Sequence, residues 1–236
     1  MVRRKTKVLA KRALRHIRPK HIIKMRRAGN VIQDFADKVG LVYFGFVDQR
    51  SDEHRLIRGH TVSETHQDNH YCIGTVRGYD AMLSLRNDVV RMLDGSDKRC
   101  RWVIVAIDLH SKVDVPDCYI GHKDREPVYA AAHRRLHPLA LRGVELYPQE
   151  FTNQYVVHGT ASNALLIQDI VTPQVAQVIA GHFAGASVEI EDNTVIMYVT
   201  TEHPTEKMIE TALSNGLWLS ELIDAQVTAS QNKKEA

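Results

Sequence analysis

The stretch RWVIVAIDL, residues 101–109, carries the clearest strand signal in the chain. It is short, apolar and rich in β-branched residues, which is typical of a strand buried in a sheet. Upstream of it, residues 41–47 predict another strand on the same grounds. Residues 55–65 and 71–76 predict a hairpin, because the polar residues 67–69 between them favour a turn.

The last third of the chain begins with two predicted strands and a helix. Residues 154–158 and 164–171 have the composition of strands and flank a polar turn. Thr172 is a favourable N-cap residue and Pro173 suits the first helical position, so a helix is expected to begin there.

A second hairpin and a second helix follow. The alternation in residues 187–191 and 195–200 predicts two strands joined at Asp192-Asn193, residue types that tolerate positive φ. Pro204 opens a predicted helix, and Asn215-Gly216 should end it. The resulting order β-β-α-β-β-α predicts an α+β fold with mixed or antiparallel sheets and packed helices.

Positive charge is concentrated at the N-terminus. Of the 31 Lys and Arg residues, 12 precede the first acidic residue, Asp34, so the rest of the chain has 19 basic and 28 acidic residues, a net charge of −9. In residues 5–18 the apolar side chains fall on one arc of a helix and the basic side chains on the opposite arc. A second helix should follow and end at Gly40. The basic residues before Asp34 are Arg3, Arg4, Lys5, Lys7, Lys11, Arg12, Arg15, Arg18, Lys20, Lys24, Arg26 and Arg27.

These basic residues predict a segment that binds an anionic surface. Each Lys or Arg near an anionic membrane adds about 1 kcal/mol of attraction, and an amphipathic helix can also bury its apolar arc there. Nucleic acid would bind the same residues with a steep salt dependence. An acidic protein partner, or the acidic body of the chain itself, is the third target. We therefore expect a non-enzymatic protein held by residues 1–27 at the inner membrane face, with nucleic-acid association as the alternative.

Part of the last third resembles an uncharacterised bacterial domain of unknown function. The shared pattern is E-F-x-x-x-Y/F-x-V, then a helix, then V-E-I-x-x-N-x-L/V-x-x-Y. No activity is attached to that family, so the resemblance implies none; many members carry membrane spans ahead of the domain, which implies a position near a membrane. The matching residues are Glu150, Phe151, Tyr155, Val157, Val188, Glu189, Ile190, Asn193, Val195 and Tyr198.

Two histidines flank the first predicted hairpin turn. If residues 67–69 form that turn, His66 and His70 face each other on adjacent strands, where opposed side chains lie about 5 Å apart. Glu64 shares the face of His66, and two imidazoles with one carboxylate suit Zn²⁺ with an open fourth position. A metal-dependent hydrolase is therefore a further alternative, although an exposed polar hairpin tip explains the same residues. Zinc is the one cofactor that the sequence suggests.

Other histidines offer weaker candidates. His133 and His137 lie four residues apart on a predicted helix, but Arg134 stands where zinc proteases place a glutamate. The D-x-H sequence of residues 108–110 ends the central strand, and His158 lies in a polar turn with hydroxyl residues. Ordinary strand-end and turn chemistry explains both groups.

Composition limits the class of protein. Three scattered cysteines favour reduced thiols in a reducing compartment. The chain has no apolar run long enough for a signal peptide or a transmembrane helix, so we expect a cytoplasmic location, peripheral at the inner membrane face. Glycine-rich phosphate loops and the nucleophile-elbow pattern are also lacking, which argues against nucleotide-phosphate and α/β-hydrolase chemistry. The expected organisation is a basic helical arm at 1–40, a body in two parts at 41–145 and 146–224, and a polar tail at 225–236.

Overall fold

The computed structural model describes residues 19–45, 67–125, 127–128, 136–183 and 185–235. Within these ranges the chain has five α-helices and nine strands, which confirms the α+β class. In chain order they are α1 (Pro19–Val39), β1 (Val42–Phe44), β2 (Gln67–Val76), β3 (Tyr79–Arg91), β4 (Asp97–Asp108), β5 (Cys118–His122), β6 (His137–Pro138), α2 (Gln149–Gln154), β7 (Tyr155–Gly159), α3 (Ala164–Ile170), α4 (Pro173–His182), β8 (Ser187–Glu191), β9 (Thr194–Thr200) and α5 (Glu206–Glu235).

All nine strands lie in one antiparallel sheet. Their spatial order is β1-β2-β3-β4-β9-β8-β5-β7-β6. The two strands of the C-terminal hairpin, β8 and β9, are inserted between β4 and β5, so residues from both expected parts of the body contribute to the same sheet.

The central strand β4 is buried on both faces. Val103 and Val105 belong to the main hydrophobic core, which the helices share. Trp102 and Ile104 point to the opposite side of the sheet and belong to a second apolar cluster. Burial on both faces explains why the run of apolar residues is continuous rather than alternating.

The second half of α1 packs against the helix-covered face of the sheet. Ile32, Phe35 and Ala36 are buried there, at the spacing of one helical face. The helix ends before Gly40, which has a φ of +82°, as the sequence predicts. The amphipathic helix expected over residues 5–18 lies outside the described residues.

The C-terminal hairpin and the helix before it are confirmed. The hydroxyl Oγ1 of Thr172 accepts a hydrogen bond of 3.3 Å from the Val175 N–H at the start of α4. Asp192 and Asn193 form the β8–β9 turn with φ values of +47° and +57°.

Several local predictions are wrong. Residues 67–69 are not a turn: they lie in β2 and pair with β3, and the chain turns instead at Arg77-Gly78. Residues 164–170 form helix α3 rather than a strand, so the order in this part is β-α-α-β-β-α. Helix α5 continues through Gly216, where the sequence predicts its end, and runs to Glu235. Residues 55–65 lie outside the described part of the chain.

Within the described residues, no single helix is long and apolar enough to cross a membrane. Residues 161–170 and α4 reach that length and composition only when taken together, and they are bent by 72° at the break between them.

Candidate functional site

The sheet face opposite the helices, called here the second face, carries a row of buried polar side chains. Glu189 of β8 is the register partner of Tyr119 of β5, which is in turn the register partner of His158 of β7. All three residues are buried. Their positions in register place a carboxylate, a phenol and an imidazole side by side across three strands.

One contact joins this row to a neighbouring strand, and another lies within the row. The Tyr198 hydroxyl donates a buried hydrogen bond of 2.6 Å to Oε2 of Glu189. The rings of Tyr119 and His158 have centroids 5.8 Å apart and are tilted by 51°. Hydrogen bonding to a buried carboxylate stabilises its charge, so Tyr198 helps to keep Glu189 inside the sheet.

A buried ion pair lies further along the same face. Arg86 of β3 donates from Nε and Nη2 to the two carboxylate oxygens of Asp68 of β2, each at 2.8 Å. Both side chains are almost completely buried, at 0% and 2% exposure. Burial lowers the pKa of Arg86, but the hydrogen bonds and charge of Asp68 outweigh burial, so the net pKa is raised.

A cavity of about 280 Å³ opens beside this face. Its walls are largely apolar and aromatic and come from β3, β4, β5, β8, β9 and the turn Lys123–Arg125, with Val128, Thr201 and Glu202 beside them. Burial lowers the pKa of Arg125, and its buried Nη1 has no hydrogen-bond partner among the described residues. The residues that line the cavity include Val90, Trp102, Tyr119, Val128 and Tyr198, with Lys98, Arg99, Arg101, Asp124, Arg125 and Glu202 among the charged ones.

The predicted zinc hairpin is not formed as expected. His66 and Glu64 lie outside the described residues. His70 lies at an irregularity in β2 with a φ of +58°, and its ring Nδ1 is 2.7 Å from the Tyr43 hydroxyl. Asp68, placed at the turn tip by the sequence, is instead held by Arg86. No group of three metal-ligating side chains lies together in the described part of the chain.

The remaining histidine candidates have ordinary structural partners. His137 lies in β6 and not on a helix, and His133 is outside the described residues, so the expected helical pair is not supported. The ring of His110 stacks on Tyr79 with centroids 4.1 Å apart. Asp108 accepts a hydrogen bond of 3.0 Å from Thr194, and burial raises its pKa.

The structure describes only some of the residues that are predicted to bind an anionic surface. Four of them belong to helix α1, and the structure describes only their backbone. They are Lys20, Lys24, Arg26 and Arg27. The other eight, Arg3 to Arg18, lie wholly outside the described residues.

Sequence reasoning missed Arg86 and Arg125, and it did not predict that Asp68 is buried. In β3, the polar residues Ser84, Arg86 and Asp88 occupy every second position, and polar residues at that spacing normally indicate a solvent-exposed face. The partner of Arg86 lies 18 residues away in a segment rich in turn-forming residues, so no local signal indicates burial.

The fold and site together define an α+β protein with a helix-covered antiparallel sheet and a buried polar second face. No protein family and no curated protein matches the chain. Among solved structures, the crystal structure of the mycobacterial trehalose monomycolate transport factor A, TtfA, is similar, with a TM-score of 0.57 and 12% sequence identity. The match covers 84% of this chain and 95% of that chain, and at this identity the likeness concerns the fold alone.

Proposed function

We propose that this is a non-enzymatic protein held at an anionic membrane surface, the inner membrane face, by residues 1–27. The observation that carries the proposal is the continuity of α1. Its first half holds Lys20, Lys24, Arg26 and Arg27, and its second half is buried in the core. Within α1, the basic residues from Lys20 to Arg27 continue without a break into the packed half of the helix, so attachment of these residues to a surface would hold the body there.

Charge supports the same proposal. Residues 1–27 carry 12 cations, whereas the rest of the chain has a net charge of −9. The body should therefore be repelled by anionic lipid while the N-terminal segment is attracted, at about 1 kcal/mol for each Lys or Arg near the surface. The similar solved structure is named as a transport factor, and a non-catalytic role for this chain agrees with that likeness in fold.

Nucleic-acid association is the second candidate, because the same 12 cations would neutralise phosphates. The segment has no aromatic residue before Phe35, so it offers no stacking platform for single-stranded bases. This favours the membrane over specific single-strand binding.

The test is co-sedimentation of the full chain with phosphatidylglycerol vesicles and, separately, its binding to duplex DNA, each at low and high salt. We expect binding to the vesicles that weakens steeply above about 0.15 M salt, where the Debye length is about 8 Å. The four substitutions Lys20→Gln, Lys24→Gln, Arg26→Gln and Arg27→Gln, made together, should reduce it strongly.

A matched control changes four exposed cations of the body: Arg77→Gln, Lys112→Gln, Arg142→Gln and Lys207→Gln. Both variants lose four positive charges. A larger loss of vesicle binding in the N-terminal variant would therefore show that the position of these charges matters, and not only their number. Equal loss in the two variants, or no vesicle binding at low salt, contradicts the proposal. Binding to DNA with none to vesicles supports the second candidate instead.

A further inference from the structure

The cavity beside the second face combines apolar walls with a cationic rim. Strand alternation directs Cys100 and Trp102 of β4, and Tyr198 of β9, toward it, and Val90 and Val128 complete the apolar wall. The residues that line the cavity include four Lys or Arg residues and only two acidic residues. Apolar pockets with a few convergent polar groups are the usual form of small-molecule sites.

Arg125 gives this cavity a specific polar group. Its Nη1 is buried and has no hydrogen-bond partner in the described part of the chain. Of the two acidic residues adjacent to it in sequence, Glu126 lies outside the described residues, and Asp124 is 87% exposed with its carboxylate 3.5 Å from Nδ1 of His122. A buried donor without a partner is costly, and a guanidinium is the side chain best suited to an oxyanion.

We propose that this cavity binds a small single-chain anionic amphiphile, with its oxyanion head on Arg125 and its alkyl chain against Trp102 and Tyr198. The apolar walls account for the chain, and the guanidinium of Arg125, among the other cations that line the cavity, accounts for the anionic head. Carboxylate and phosphate heads share this chemistry. The site does not include the N-terminal basic segment, so this proposal can be tested separately from membrane attachment.

Binding is measured on the full chain by the fluorescence of Trp102, with Trp218→Phe as background to remove the second tryptophan. The probes are decanoate and decyl phosphate, used below their micelle concentrations, with decanol and decyltrimethylammonium for comparison. We expect saturable binding of one or both anions, with Kd falling about fourfold for each methylene added between octanoate and decanoate. The neutral and cationic probes should bind at least tenfold more weakly.

Alkylation of Cys100 locates the bound probe. Cys72 and Cys118 are buried, whereas Cys100 is partly exposed and lines the cavity. Burial raises the pKa of the Cys100 thiol, so its reaction with iodoacetamide should be slow but measurable. Decanoate should slow it further by occupying the cavity.

Variants test the role of Arg125. Arg125→Met keeps an apolar stem and should weaken decanoate binding about tenfold or more, whereas Arg125→Lys should retain part of it. Lys123→Met is the control, because Lys123 belongs to the same turn but does not line the cavity. The proposal is overturned if neither anion binds, if decanol binds as well as decanoate, or if Lys123→Met weakens binding as much as Arg125→Met. The comparison of head groups on the unaltered chain decides the matter even if Arg125→Met does not fold.

Discussion

At the scale of single residues, the buried ion pair of Arg86 and Asp68 should dominate local stability. Removing one partner of a buried pair leaves the other charge without compensation, which costs about 3–5 kcal/mol. Asp68→Asn should therefore lower the free energy of unfolding by that amount in urea titrations. The double variant Asp68→Leu with Arg86→Met should recover much of the loss, because two apolar side chains leave no buried charge.

The exposed pair of Arg91 and Asp97 is the matched control. Its atoms lie 3.0 Å apart, but the side chains are 73% and 57% exposed. Such pairs contribute at most about 1 kcal/mol, so Asp97→Asn should change little. If Asp68→Asn costs no more than Asp97→Asn, the buried pair does not have the stabilising role assigned to it.

His70 should make stability depend on pH. Burial, with a smaller contribution from Arg101, lowers the pKa of its ring in the folded chain. The unfolded chain then binds the proton first as pH falls, so this part of the stability is complete above the ordinary pKa of about 6.5 and is lost as pH falls toward the lowered value. In the neutral ring, Nδ1 can accept from the Tyr43 hydroxyl.

Urea unfolding of the native chain and of His70→Gln, at pH values above and below this window, checks the prediction. His70→Gln should flatten the loss of stability on acidification. His203→Gln, at an exposed histidine, is the control substitution. Identical pH profiles for the native chain and His70→Gln would show that His70 does not contribute.

At the scale of helices and strands, the sequence predicts elements with strong local signals. Strand β4, the Thr172 cap and the β8–β9 turn were all predictable, because periodicity and turn chemistry act within a few residues. Residues 67–69 were misassigned because their turn-forming composition is overridden by pairing with β3 and by the ion pair to Arg86. Helix α3 was missed because a short apolar run does not distinguish a strand from a helix.

The candidate site was much less predictable than the fold. Glu189, Tyr119 and His158 are brought together by strand order, which joins segments distant in sequence. The Arg125 cavity is lined by residues of five strands and of the turn Lys123–Arg125. No spacing rule in a single sequence indicates either arrangement.

Gly216 shows why the end of α5 was also misplaced. A glycine after an asparagine normally ends a helix, but here the missing side chain lets α5 approach the sheet. A Cβ at Gly216 would lie 2.7 Å from Cδ1 of Ile107 and 3.2 Å from Cγ of Met197. Gly216 is therefore required for the close packing of α5 on the sheet, and it does not end the helix.

Gly216→Ala should therefore destabilise the protein despite the better helix propensity of alanine. Overpacking costs about 1–3 kcal/mol, against a gain of about 1 kcal/mol from propensity. Ile107→Val removes Cδ1, so combining it with Gly216→Ala should cost less than the sum of the two single changes in urea unfolding. Ser214→Ala, at an exposed position of α5, controls for propensity alone. Stabilisation by Gly216→Ala would contradict this account of the contact.

At the scale of the whole molecule, one sheet separates two kinds of buried environment. The helices cover one face with a continuous apolar core, whereas the second face holds the Glu189 row, the Arg86–Asp68 pair and the Arg125 cavity. The described part of the proposed attachment segment belongs to α1, whereas the proposed amphiphile site lies on the second face. Each can be removed without removing the other.

Truncation tests where the N-terminal attachment segment ends and the folded body begins. Ala28, Ile32 and Phe35 are buried against the sheet and α5, so α1 contributes to the core from Ala28 onward. A chain that begins at Ala28 should unfold cooperatively in urea, with a free energy of unfolding within about 1 kcal/mol of that of the full chain. It should also lose binding to anionic vesicles.

A chain that begins at Gly40 also lacks the buried side chains of Ile32 and Phe35. Burial of each contributes about 1.5–3 kcal/mol, so this second truncation should lower stability by several kcal/mol or prevent folding. The difference between the two truncations measures how much of α1 belongs to the core. If the chain beginning at Ala28 also unfolds, residues 1–27 are part of the folded body, and their charge cannot be assigned to surface binding alone.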